Sequence, residues 1–284
     1  MAVTSFIPTI WAVGLLQGLR TRLVSENFIN HDYVGDVKSG GTVKINTLSD
    51  ISVYDYNGTV TYSALSTVGQ DLVINQKKAF SFEVDDLDAF QAASGGNLMT
   101  SGIDNATFNV RREKDADMFA TMADGGTVIP DAISVYDGAT AFEAIRKAKL
   151  KMDQLDIPDE NRVMAIDAET ESFLYANKVL GLNPQIGEDV LKNGRIGMLL
   201  GITLYRSNQL KTASGNTLCI ATTPRFTTEA SQIDTIEAMR LQNKFADGVR
   251  GLLVYGAKVT NPNGVVVLKV NHTAPTTGGG GTTG

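Results

Sequence analysis

Two histidines, one cysteine and two runs of carboxylates are the residues of this chain best suited to chemistry. His31 and His272 stand at opposite ends of the sequence, and neither sits in a pattern with the spacing of metal ligands. Zinc sites gather His, Cys or carboxylates into clusters, so no metal site is expected. Cys219 lies in the apolar run Thr217-Leu218-Cys219-Ile220-Ala221, where a free thiol acts as a small buried hydrophobe. No basic or acidic neighbour in sequence would activate it. The acidic run Asp153, Asp156, Asp159 and Glu160 lacks the glycine and the alternating ligand rhythm of a calcium loop. It reads as a solvated helix end. Asp85, Asp86 and Asp88 could pair for acid–base work, but nothing else in the sequence supports that use. Gly194, Gly197 and Gly201 do not form the strand–glycine loop–helix unit that cradles phosphates. No catalytic residue and no cofactor is expected.

The elements that would have to position a site belong to a chain of 284 residues, 43% of them hydrophobic. Single cores stop growing near ~250–300 residues, so one large or two modest domains are expected. A net charge of −6 with 20% charged residues argues against a dedicated nucleic-acid binder, which collects Lys and Arg. Charge is uneven: residues 31–90 hold four Lys against nine acids, and residues 211–284 hold seven Lys or Arg against four acids. Pairing between these stretches inside one subunit, or across to a neighbouring copy, would balance them. The single Cys excludes an intrachain disulfide. The apolar stretch Ile10 to Leu19 is short of the ~20 residues a membrane span needs, and no basic residue precedes it. A soluble, cytosolic product with no membrane partner is expected.

Along the chain, Trp11, Leu15, Leu19 and Leu23 recur near helical spacing, the pattern of an amphipathic arm. It packs on its own core or elsewhere. From Val37 to Val84 the pattern is β. Thr42 to Asn46 alternates, as does Asp50 to Tyr56, and Asn57-Gly58 is a strong hairpin turn signal. Leu72, Ile74, Phe80, Phe82 and Val84 continue the strand pattern, with no helix to cover it. A lone hairpin is marginal in water, so another sheet or another molecule must accept this one. The tip gathers Val53, Tyr54, Tyr56, Asn57, Gly58, Val60, Tyr62 and Leu65, the mixture of aromatic and apolar residues favoured at interfaces.

A helix follows over about 104–124, capped by Asp104 or Asn105, with a thin apolar seam of Ala116, Phe119, Ala120 and Ala123. Thr140 and Glu143 predict a capping box for a second helix, whose apolar face is Ala141, Ile145, Ala148, Met152 and Leu155. Val163 to Ile166 reads as a buried strand, and Asp167 caps a third helix to Gly181. Residues 199–222 read as a hairpin turning at Ser214-Gly215-Asn216, and Val265 to Val270 as the last strand. The tail from residue 273 has a linker composition.

This order resembles that of phage major capsid proteins of the Hong Kong 97-type fold, over nearly the whole chain. Two stretches also resemble the family in wording: Arg162 to Asp167 leading into Phe173-Leu174, and Phe245-Ala246-Asp247-Gly248-Val249-Arg250-Gly251-Leu252 with Tyr255-Gly256. The resemblance implies an α+β fold with an N-terminal arm (1–35), an E-loop hairpin (36–84), and a P-domain with its long spine helix (85–137). An α/β A-domain (138–240), a P-domain return (241–272) and a tail (273–284) follow. It also implies a non-enzymatic shell subunit, forming pentamers and hexamers around double-stranded DNA in a virion assembled in the bacterial host cytoplasm. The eight tip residues would be intersubunit contacts, and Trp11, Leu15, Leu19 and Leu23 would pack the arm.

The chain shows no acidic or helical N-terminal extension of the built-in scaffold kind. The resemblance therefore implies a separate scaffolding protein, or a chain that is already mature, with a portal and possible decoration protein as further partners. Members that crosslink themselves join an E-loop Lys to a neighbour's Asn. Here Thr47 to Asn75 contains no Lys. An encapsulin-like nanocompartment shell, which shares the fold, is the near alternative, and a soluble α+β enzyme the distant one.

Overall fold

The computed structural model describes residues 23–31, 42–48, 51, 53, 55–58, 60, 62, 64, 67–86, 98–176 and 195–274. Strands β1 (Thr42–Leu48), β2 (Thr67–Val73) and β3 (Gln76–Asp85) come first, then the long helix α1 (Leu98–Gly125). Two short strands, β4 (Thr127–Val128) and β5 (Ile133–Ser134), lead into α2 (Gly138–Gln154), β6 (Val163–Ile166) and α3 (Ala168–Ala176). The rest is β: β7 (Arg195–Leu199), β8 (Ile202–Arg206), β9 (Thr212–Ala213), β10 (Asn216–Thr222), β11 (Thr227–Arg240), β12 (Ala246–Val259) and β13 (Val265–Asn271).

These strands form three sheets. β1 and β2 make a two-stranded ribbon, β11–β12–β3 a long three-stranded sheet, and β4–β13–β10–β6–β8–β7 the central sheet. The β-structure that lacked a cover in the sequence is thereby accounted for. β3 leaves the hairpin and pairs antiparallel with β12, from Gln76 opposite Tyr255 to Asp85 opposite Ala246. Its even-numbered residues turn inward and Lys77, Ala79, Ser81 and Glu83 face solvent, so Phe80 and Phe82 lie against α1. Gly102 permits this approach, since a Cβ there would stand 2.7 Å from the Phe82 ring.

α1 begins at Leu98, ahead of the Asp104 or Asn105 cap expected from sequence. Its buried stripe is Thr107, Asp115, Met118, Phe119, Met122 and Ala123, while Ala116 and Ala120 are half-buried. α2 buries Ala141, Ile145, Ala148 and Met152 as the periodicity predicts. Its capping box differs: Asp137 is the cap, accepting the Thr140 N–H at 2.7 Å, and Glu143 pairs instead with Arg146. A Thr at the third helical position can return a hydrogen bond to the cap as Glu would, which is why sequence alone misplaced the box by one turn. The turn at Ser214-Gly215 is present, both residues having positive φ. It joins only β9 to β10, however. β10 then pairs with β13 and β6, so residues 199–222 are not one hairpin. Val163–Ile166 is buried at every position, and β13 is buried except at Lys269 and Asn271. Among the described residues no helix is long and apolar enough to cross a membrane.

Candidate assembly interface

The register of β1 with β2 pairs Thr42 with Val73 and Leu48 with Thr67, placing Asn57 and Gly58 equidistant from the two strands. Gly58 has φ +98° and open space around it, as a turn demands. Around this turn the apolar side chains face solvent. Val53 is 96% exposed and Tyr62 92%, with Ile51, Tyr56 and Val60 also exposed. Asn57 is exposed as well. Tyr54 and Leu65 lie outside the described residues. These exposed side chains are of the apolar and tyrosine types favoured at interfaces.

The base of the hairpin is fixed. Val43, Ile45, Leu72 and Ile74 form a small separate core with Ala230 of β11 and Val254 of β12. Gln70 donates to the Thr260 carbonyl (3.1 Å) and Lys258 to the Asp71 carbonyl (2.9 Å). The base is thus tied to the body of the subunit, while the described tip residues are uncovered.

A second anchored feature is the segment that follows the N-terminal 22 residues. Leu23, Val24, Phe28 and Ile29 enter the main core, and Phe28 meets Phe119 and Tyr205 edge to face at 5.6 and 5.5 Å. Leu23 is therefore packed within its own subunit; Trp11, Leu15 and Leu19 lie outside the described residues. Asn30 bridges β11 in parallel, its N–H donating to Thr227 and its carbonyl accepting from Glu229. α1 holds this segment by its charges. Asp115 accepts the Ser25 and Val24 N–H groups at 3.0 and 3.4 Å, and burial pushes its carboxyl above the ordinary range. Lys114 reaches Glu229 at 2.7 Å, and Asp117 takes Lys78 at 3.0 Å and the Tyr255 hydroxyl at 2.7 Å. Each link joins α1 to a different strand or segment.

Comparison with known proteins decides the family. The phage capsid protein family matches residues 70–268. The chain belongs to the phage capsid protein family. A solved structure from Mycobacterium phage Che8 is 32% identical, with a TM-score of 0.70 over 89% of this chain and 92% of that one. The capsid of Ralstonia phage GP4 is 14% identical, with a TM-score of 0.67 over 90% and 91%. A virus-like particle from Pyrococcus furiosus is 12% identical, with a TM-score of 0.61 over 93% and 99%. At those identities the last two share the fold. No match was found among curated proteins. The mixed α/β architecture is thus that of Hong Kong 97-type capsid subunits, and the chain is a phage major capsid protein.

Several residues singled out by type have structural duties in this capsid protein. Cys219 is fully buried, and burial pushes its thiol above the ordinary value, the opposite of what activates a nucleophilic thiol. The acidic run at the end of α2 is organised by Arg162, which is buried and bonds Asp153 (2.5 Å), Asp159 (3.0 Å) and the Pro158 carbonyl. Gly201 and Leu200, both at positive φ, turn β7 into β8. The opposite-signed stretches pair within the subunit: Arg240 with Asp86, and Lys244 with Glu83. The family-like stretch Phe245 to Gly256 is explained by contacts. Gly251 lies beneath the Phe80 ring, Gly256 beneath the Val73 carbonyl, and Tyr255 bonds Asp117.

Sequence reasoning missed the surroundings of both histidines. His31 lies with Glu26 and Glu229, and His272 with Asp167 and Glu169. Glu229 and Asp167 are far from their histidines in sequence, so no local spacing could reveal either group.

Proposed function

We propose that this capsid protein assembles into pentamers and hexamers of an icosahedral or prolate shell enclosing the double-stranded DNA of a tailed phage. The hairpin at 36–84 is the E-loop, its tip the main contact with the next subunit. The observation that carries this reading is the exposure of Val53, Tyr56, Val60 and Tyr62 on a hairpin whose base is locked to β11 and β12. Heterologous contacts of this kind close into rings and shells. On the same reading residues 1–35 are the arm, 85–137 and 241–272 the P-domain with α1 as spine helix, 138–240 the A-domain, and 273–284 a tail. Assembly takes place in the host cytoplasm with a separate scaffolding protein and a portal, decoration protein being a possible addition, and the subunit has no enzymatic activity.

A net charge of −6 suits a wall that contains DNA without gripping it. Electron microscopy of purified particles, with their contents extracted, tests the proposal. Shells holding long duplex DNA support it. Shells holding a protein cargo support the nanocompartment alternative instead, and a stable monomer at high concentration overturns both.

A further inference from the structure

Glu229 is the one carboxylate with a buried oxygen lacking a hydrogen-bond partner among the described residues. It is 2% exposed, and its Oε1 is 2.7 Å from Lys114 Nζ. Its Oε2 has His31 Nδ1 at 4.0 Å, beyond hydrogen-bond reach. Glu26 is arranged in the same way. Its Oε1 is 3.8 Å from Lys114 Nζ, and its Oε2 is 2.5 Å from His31 Nε2. Both carboxylates therefore turn one oxygen to the lysine and the other to the imidazole. A buried anionic oxygen without a donor is costly, and an ion is one of the few things that satisfies it.

We propose that Glu26, His31 and Glu229 bind a divalent transition-metal cation of the zinc type. One imidazole nitrogen, a borderline donor, together with two carboxylate oxygens makes a set that suits zinc better than magnesium or calcium, which prefer all-oxygen shells. Lys114 stays outside the coordination shell, holding the two outer oxygens and fixing the carboxylates in orientation. Glu229 is fixed by burial, whereas the His31 and Glu26 side chains are 40% and 28% exposed and leave an entry path. They must part to about 3 Å to share one ion at bond lengths of about 2.0–2.2 Å. The second histidine group lacks this demand. His272 bonds Val135 and Asp167, and the other Asp167 oxygen accepts from Thr170 at 2.5 Å. The ion would clamp the 3-10 turn Ser25–Phe28 and the Asn30 bridge to the edge strand β11.

The test uses the full chain, stripped with a chelator and then given zinc chloride at pH 7.5. Metal content per chain, thermal unfolding and the visible spectrum of the cobalt-loaded protein are measured. Wild type is expected to retain one zinc per chain and to melt higher with zinc than without, since ligands of the folded state stabilise it by mass action. His31→Gln and Glu26→Gln change partly exposed side chains, and circular dichroism checks their folding. Each is expected to weaken zinc binding at least about ten-fold, the loss that even outer-shell changes produce. Wild type that retains no zinc, or the same zinc content and cobalt spectrum in His31→Gln, overturns the proposal.

Discussion

The carbonyl of Val73 crosses directly over Gly256, and a Cβ at Gly256 would stand 2.8 Å from the Cα of Ile74. This close approach seats the hairpin base on β12, and both opposing atoms belong to backbone, which cannot step aside as a side chain could. Gly256→Ala is expected to destabilise the subunit by about 1–3 kcal/mol, the usual cost of overpacking. Chemical denaturation of the unassembled subunit measures this. An unchanged midpoint would show that the base is not seated there.

Tyr255, next to that glycine, ties β12 to α1 through its hydrogen bond to Asp117. Tyr255→Phe keeps the ring in place and removes only the hydroxyl, leaving Asp117 with Lys78. A loss of about 1 kcal/mol is expected in thermal or denaturant unfolding. Lys78→Ala in the same background should cost more than it does alone, because Asp117 then has neither partner.

Asp115 gives a pH dependence. Burial raises its folded carboxyl above the ordinary 3.8 despite the Ser25 and Val24 N–H groups. A raised folded value means that its contribution is greatest when it is protonated, below 3.8, and is lost as pH rises through the folded value. Asp115→Asn cannot titrate. Its deficit relative to wild type should therefore be largest in acid and should shrink toward neutral pH. Paired unfolding curves across that range check the sign, and a deficit that grows with pH contradicts it.

Covalent chain-mail is not expected. Lys77 and Lys78 lie in β3, which pairs with β12 in the body of the subunit, and Lys78 bonds Asp117. Lys44 lies in β1, in the paired base of the hairpin. No Lys occurs from Thr47 to Asn75 to serve the tip. Mature particles boiled in detergent should run as one band near 30.4 kDa. A ladder of multiples would refute this.

What the sequence shows of this fold follows the range of the interactions involved. The α2 face of Ala141, Ile145, Ala148 and Met152, the strand Val163–Ile166 and the Asn57-Gly58 turn rest on contacts within a few residues, and each was legible. The pairing of β3 with β12 joins Gln76 to Tyr255, and β10 finds both partners outside its own hairpin. Periodicity says that such strands exist but not which edge accepts them. The exposed tip was legible as a mixture of tyrosines and aliphatics. Its anchoring by Ala230 and Val254 was not, because those residues become neighbours only through the sheet. The Glu26–His31–Glu229 group was hidden for the same reason.

The central claim is that the hairpin tip is an intersubunit contact, and Tyr62→Asp tests it most directly. Tyr62 is 92% exposed in the subunit, so the change should leave folding intact, as surface substitutions usually do. At an assembled contact it would bury an unpaired charge, at about 3–5 kcal/mol for each copy. Circular dichroism and electron microscopy on the same preparation decide the matter. The account predicts a subunit that melts like wild type and forms no shells; normal shells built from the folded variant would contradict it.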